Sequence, residues 1–153
     1  MLLLSISAIG CTGSRSSIVS DADRDLGQRI VHTAQEQIGS KYERSARGPK
    51  KFDCSGLVQY VYDQYDFQLR GSAASMSTLG RSIDIAEARS GDLIFYKRKG
   101  SVFHVSIISE ASSDHLKVVH STTSRGVIEE DVLSSVYWSD KIYKIISLDS
   151  LDR

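Results

Sequence analysis

A chain of 153 residues is long enough for one domain with a real core and leaves little room for a second. Its 19 basic and 19 acidic residues cancel, and no basic tract stands out, so charge gives no case for a nucleic-acid partner. One proline, seven tyrosines and 41% apolar residues speak against disorder, and two cysteines in unlike settings do not read as a disulfide pair.

Met1 to Gly10 is an uncharged apolar run that ends Ala8-Ile9-Gly10 just before Cys11. It is too short to cross a bilayer, which takes about 20 residues. A short apolar run closed by small residues has the form of the end of a secretory signal, and Ala-Ile-Gly-Cys resembles the cleavage box of bacterial lipoproteins. The resemblance implies that Cys11 becomes the mature N-terminus and carries the lipid. It departs from the usual pattern in having no Lys or Arg before the run, and an apolar tail or a buried strand is the competing reading. Residues 12 to 20 are small and polar and suit a tether. The expected division is therefore 1–20 as signal, anchor and tether, and 21–153 as the folded domain.

Asp21 to Gly39 reads as an amphipathic helix, with acids in its first turn, Leu26, Ile30, Ala34 and Ile38 at four-residue steps, and Gly39 as its stop. A polar loop with Gly48-Pro49 follows. A second helix is expected from Asp53 or Cys54 to Tyr65 or Phe67, with Leu57, Val58, Val61, Tyr62 and Tyr65 on one face. Residues 70 to 88 carry too weak a pattern to assign. Leu93 to Tyr96, Val102 to Ser109, His115 to Ser121, Gly126 to Glu130 and Ile142 to Ser147 read as five strands joined by turns. Helices first and strands after give an α+β fold, an antiparallel sheet packed on helices.

Cys54 opens the second helix, where unpaired N–H groups and the helix dipole favour an anion. A thiol in such a place is expected to titrate below the free value of about 8.5. Asp53, Ser55 and Gly56 around it are polar or small, unlike a packing site, and Gly56 would give a substrate backbone room to approach. The plainer alternative is a small buried hydrophobe. A hairpin centred on residue 112 would set His104 opposite His120 on one sheet face, and a one-residue slip would part them. A thiolate, an imidazole to share its proton and a polar group to orient that imidazole make a nucleophilic triad. Satisfied core histidines are the alternative for both rings. His32 and His115 read as surface residues. A zinc site from Cys54, His104 and His120 lacks any pair of ligands at close spacing, so no metal or other cofactor is expected.

Four stretches together resemble the NlpC-type cell-wall cysteine endopeptidases: Phe52-Asp53-Cys54-Ser55-Gly56-Leu57-Val58, Ser90 to Tyr96, His104-Val105-Ser106-Ile107-Ile108, and Val119-His120-Ser121. The resemblance covers about Arg29 to Ile146. It implies a papain-like fold, Cys54 as nucleophile, His104 as base and His120 as the third, polar member. It also implies that Tyr42 lines the site near the oxyanion and that Asp53 and Ser55 help hold the substrate. The implied activity is hydrolysis of amide bonds in peptidoglycan stem peptides or their cross-links, of the D-glutamyl–diamino acid or D-alanyl–diaminopimelate type. The implied place is the bacterial envelope, as a monomer held to the membrane by lipid on Cys11. Ser45-Ala46, Arg70, Met76 and Ser106 stand where the family usually has a Gly-Gly pair, proline, glutamine and glycine. These departures bear on the substrate groove, and a non-catalytic lipoprotein that binds stem peptides or a partner enzyme through the same groove is the rival reading.

Overall fold

The computed structural model describes residues 20–153, so the expected signal, lipid site at Cys11 and nearly all of the tether lie outside the described residues. The first helix, α1, runs Asp21–Gln35; Ser20 caps it by accepting the Asp23 N–H, and Asp21 and Asp23 lie in the first turn. It stops four residues short of Gly39. Gln37 and Ile38 already bond to carbonyls three residues back, which tightens the chain into turns and leaves Ile38 46% exposed.

Two short strands, β1 (Lys41–Tyr42) and β2 (Lys51–Phe52), pair in parallel and lead into the second helix, α2 (Cys54–Asp63). Leu57, Val58, Val61 and Tyr62 of α2 are buried, as their spacing predicts, and each fully buried aliphatic side chain contributes about 1.5–3 kcal/mol. The unassigned stretch 70–88 holds a one-turn helix α3 (Ala73–Met76), strand β3 (Ser82–Ile83) and a 3₁₀ turn (Ile85–Glu87). Then come β4 (Leu93–Arg98), β5 (Ser101–Ala111), β6 (Leu116–Thr122), β7 (Gly126–Asp131) and β8 (Ile142–Ile146).

The main sheet has six strands in the order β3-β8-β4-β5-β6-β7, and every pairing is antiparallel. The expected α+β architecture is the observed one; the sixth strand is β3, whose two residues are too few to show a period. Alternation along the strands builds two cores. One face packs Leu93, Phe95, Val105, Ile107, Val119 and Val127 against the helices. The other carries Ile94, Tyr96, Ile108, Val118 and Ile145 under Trp138.

The β5–β6 hairpin decides where the histidines meet. Its loop takes residues 112 to 115, a bulge follows between Ile108 and Glu110, and Ile107 then pairs with Val119. That register, continued by one residue, sets Ser106 beside His120, so His104 lies two residues from the expected partner. An even shift keeps both rings on one face. The β5–β6 ladder ends at the Ile107–Val119 pair. Beyond it, Ser121 Oγ donates to the Phe52 carbonyl at 2.8 Å, tying β6 to the segment that delivers Cys54.

Candidate active site

The start of α2 is built by one carboxylate. Asp53 holds an extended backbone (φ −88°, ψ −179°), and its Oδ1 accepts the Gly56 N–H at 2.7 Å and the Ser55 hydroxyl at 3.2 Å. Its Oδ2 accepts the Ser45 N–H at 2.9 Å. Ser45 has φ of 63°, the left-handed region that costs a side chain energy, and this bond helps hold it there. Asp53 and Ser55, which the resemblance assigns to the substrate, are thus engaged in capping the helix, and neither lines the cleft described below. Gly56 gives no room to a substrate either. A Cβ there would stand 2.0 Å from the Ala46 carbonyl oxygen, so the glycine admits the β1–β2 loop against the helix.

Cys54 and His104 line one cleft of about 710 Å³ together with Tyr42, Arg44, Arg98, Phe103, Arg125 and Trp138. Cys54 is partly buried and is a free thiol. Backbone groups of Val105, Ser55 and Cys54 itself lie near its sulfur and favour its anion. Another cavity, of about 390 Å³ beside Leu26 and Leu148, has neither cysteine nor histidine in its lining.

Behind the cleft runs a chain of buried polar groups. His104 Nε2 lies 2.9 Å from His120 Nδ1, and His120 Nε2 lies 2.9 Å from Glu130 Oε1. Ser106 Oγ stands 3.1 Å from the same His120 Nδ1. Glu130 Oε1 also accepts from Arg125 Nη2 at 2.7 Å and from Trp138 Nε1 at 2.9 Å. The indole of Trp138 stacks on His104 with centroids 4.6 Å apart and an interplanar angle of 28°. Among the described residues, no three His, Cys, Asp or Glu side chains cluster so as to hold a metal ion.

The sequence brings this arrangement into a known group. The profile of the NlpC/P60 family matches residues 39–147, most of the chain and all of the site. The chain belongs to the NlpC/P60 family. It is 33% identical over 122 residues to the gamma-DL-glutamyl hydrolase of Bacillus subtilis, covering 79% of this chain and 29% of that protein. To the murein DD-endopeptidase MepS/murein LD-carboxypeptidase of Escherichia coli it is 28% identical over 118 residues, 76% of this chain and 60% of the relative. The NlpC/p60 domain of the peptidoglycan hydrolase SagA superposes with a TM-score of 0.68 at 27% identity, over 80% of this chain and 98% of that one. The chain thus spans less than two thirds of either curated relative.

Within this NlpC/P60 domain the electrostatics differ from the expectation at the thiol. Burial, and then the Asp53 carboxylate, push the Cys54 thiol up, and the nearby backbone of Val105, Ser55 and Cys54 only partly offsets them. His104 is held well below the ordinary imidazole range by burial first and by His120 second. His120 is also lowered by burial, against the pull of Glu130. Both shifts favour the uncharged thiol and the uncharged imidazole, where the helix dipole alone suggested a thiolate. Glu130 is held down at about 2, first by its bond to His120. Tyr42 is raised by burial and then by Cys54 and Asp53, so its hydroxyl stays a donor at neutral pH.

Glu130, Arg125 and Trp138 were not given site roles by sequence reasoning, and Ser106, expected to bear on the substrate groove, is instead fully buried beside His120 and does not line the cleft. Of the first three, only Glu130 left a usable signal. β7 pairs His120 with Ile128 and Val118 with Glu130, so an acid shares the histidine's sheet face two residues along.

Proposed function

We propose that the domain is a cysteine peptidase that hydrolyses amide bonds in peptidoglycan stem peptides or cross-links, with Cys54 as nucleophile, His104 as base and His120 as its orienting partner. The observation that carries this reading is that Cys54 and His104 line one open cleft while Nε2 of His104 is engaged by His120. In the proposed reaction, His104 takes the Cys54 proton as the sulfur attacks the carbonyl carbon. The oxyanion meets the Cys54 N–H and the Tyr42 hydroxyl. His104 returns the proton to the leaving nitrogen as the C–N bond breaks. A water molecule, deprotonated by His104, then attacks the thioester, which releases the acid and restores the thiol.

The cleft also suits the proposed substrate in charge. Arg44, Arg98 and Arg125 line it, and no carboxylate is among its described lining residues. Stem peptides joined through D-glutamate and diaminopimelate carry free carboxylates beside their amide bonds, and a guanidinium fork matches them. Attachment of this domain through lipid on Cys11, placement in the envelope and action as a monomer complete the reading.

Digestion of purified peptidoglycan by the protein, with mass spectrometry of the released muropeptides, tests it. New termini at D-glutamyl–diamino acid or D-alanyl–diaminopimelate bonds are the expected result, and intact muropeptides reject it. A second reading, a non-catalytic binder of stem peptides, draws on the raised Cys54 thiol. It is distinguished by saturable stem-peptide binding without any new terminus.

A further inference from the structure

Burial disfavours the charged form of both imidazoles of the site, so which nitrogen of each carries hydrogen decides what His104 can do. Glu130 starts the assignment from the far end. Its Oε1 faces three nitrogens, His120 Nε2, Arg125 Nη2 and Trp138 Nε1, two of which can only donate. An ionised carboxylate only accepts, so His120 must carry its hydrogen on Nε2. Its Nδ1 is then the acceptor, and His104 Nε2, 2.9 Å away, must be the donor. The nitrogen left with a free lone pair is His104 Nδ1. Ser106 Oγ, 3.1 Å from His120 Nδ1, can add a second donor to the same acceptor.

We propose that Glu130 is a positioning residue that acts through His120 to fix both rings in the Nε2–H form and leave His104 Nδ1 as the base for Cys54. The inference extends the peptidase reading, but the tautomers themselves can be read without turnover. Glu130 is held for this task from several sides: Arg125 from the β6–β7 loop and the Trp138 indole on the other side of the sheet from the helices. The other titratable groups facing the pair are His104 on β5 and Tyr96 on β4, whose ring packs 5.4 Å from His104. A carboxylate behind a paired imidazole also favours the imidazolium that forms when the thiol gives up its proton.

The experiment uses the full chain labelled with ¹⁵N-histidine, comparing wild type with Glu130→Gln and Glu130→Ala. Long-range ¹H–¹⁵N spectra at neutral pH should show both buried rings in the wild type protonated on Nε2. Glu130→Ala should give mixed tautomers at His120 and, through it, at His104. If that variant does not fold, Glu130→Gln still tests the charge, because its amide oxygen can accept from His120 while the carboxylate is gone. Both imidazoles should then protonate at lower pH than in the wild type, because the anion that favours the imidazolium is lost. In turnover of a stem peptide, the acid limb of kcat/KM should move to lower pH, and kcat should fall by roughly tenfold with KM little changed. Glu130→Asp should recover part of the loss. His104 protonated on Nδ1 in the wild type, or an imidazole titration that does not move in Glu130→Gln, would overturn the proposal. Failure of the wild type to cleave any stem peptide while both rings are Nε2–H would count against the peptidase reading and leave this one standing.

Discussion

Asp53 does two things at once, and one substitution separates them. Its carboxylate caps α2 through the Gly56 N–H at 2.7 Å and bonds the Ser45 N–H at 2.9 Å, and its charge raises the Cys54 thiol. Asp53→Asn keeps an oxygen for Gly56, since asparagine caps about as well as aspartate, but can place an amide nitrogen against Ser45. Loss of that one bond should cost about 1 kcal/mol, whereas Asp53→Ala loses the cap as well and should cost about 2–3 kcal/mol. For a domain of this size each kcal/mol lowers Tm by roughly 2–8 °C. The thiol should move the other way. Without the carboxylate its pKa falls, and because the neutral thiol predominates at pH 7, each unit of fall raises the reactive thiolate about tenfold. We expect Asp53→Asn to be alkylated by iodoacetamide about three to ten times faster than the wild type at pH 7, followed at the Cys54 peptide by mass spectrometry. A variant that reacts no faster, or whose alkylation midpoint lies higher, would refute the claim that Asp53 holds the thiol up.

The other consequences concern pH and charge. Asp92 is 4% exposed and its carboxyl is pushed up to about 6 by burial, against the pull of the Leu148 and Arg89 N–H groups. Its folded pKa lies above its unfolded one, so the stability it contributes is complete below about pH 4 and is lost as pH rises through about 6. That loss is about 3 kcal/mol, and Asp92→Asn should flatten this part of the pH dependence in chemical denaturation; an unchanged slope would contradict it. Glu130 works in the opposite sense and only at lower pH, since its carboxyl sits at about 2 in the fold. Arg44→Gln should lower kcat/KM about tenfold or more for a stem peptide with free carboxylates and little for its amidated counterpart. Equal losses on both substrates would remove Arg44 from carboxylate recognition.

How far the residues themselves disclosed this arrangement depends on the range of the interaction. The face of α2 was legible because Leu57, Val58, Val61 and Tyr62 repeat at helical spacing within ten residues. His104 and His120 were placed on one face because strand alternation survives an even error; the loop alone, with Ala111 opposite Leu116, would shift their register by three, and the bulge after Ile108 takes one residue back, leaving an even shift of two. β3 escaped notice because two residues carry no period. The part played by Trp138 was hidden for a different reason: it stacks on His104 from 34 positions away in sequence, and no local rule links them. Burial was the largest gap. The helix dipole argued for a thiolate at Cys54, but the desolvation that opposes it depends on packing around the sulfur, which only the folded arrangement supplies.

The central claim is that the sulfur of Cys54 forms the bond to the substrate carbonyl. Cleavage of a defined stem peptide by wild type and by Cys54→Ala, at matched concentration and with equal thermal stability, measures this directly. The wild type should release both product fragments, and the alanine variant should release neither while still binding the peptide. Continued release of fragments by Cys54→Ala would contradict the claim.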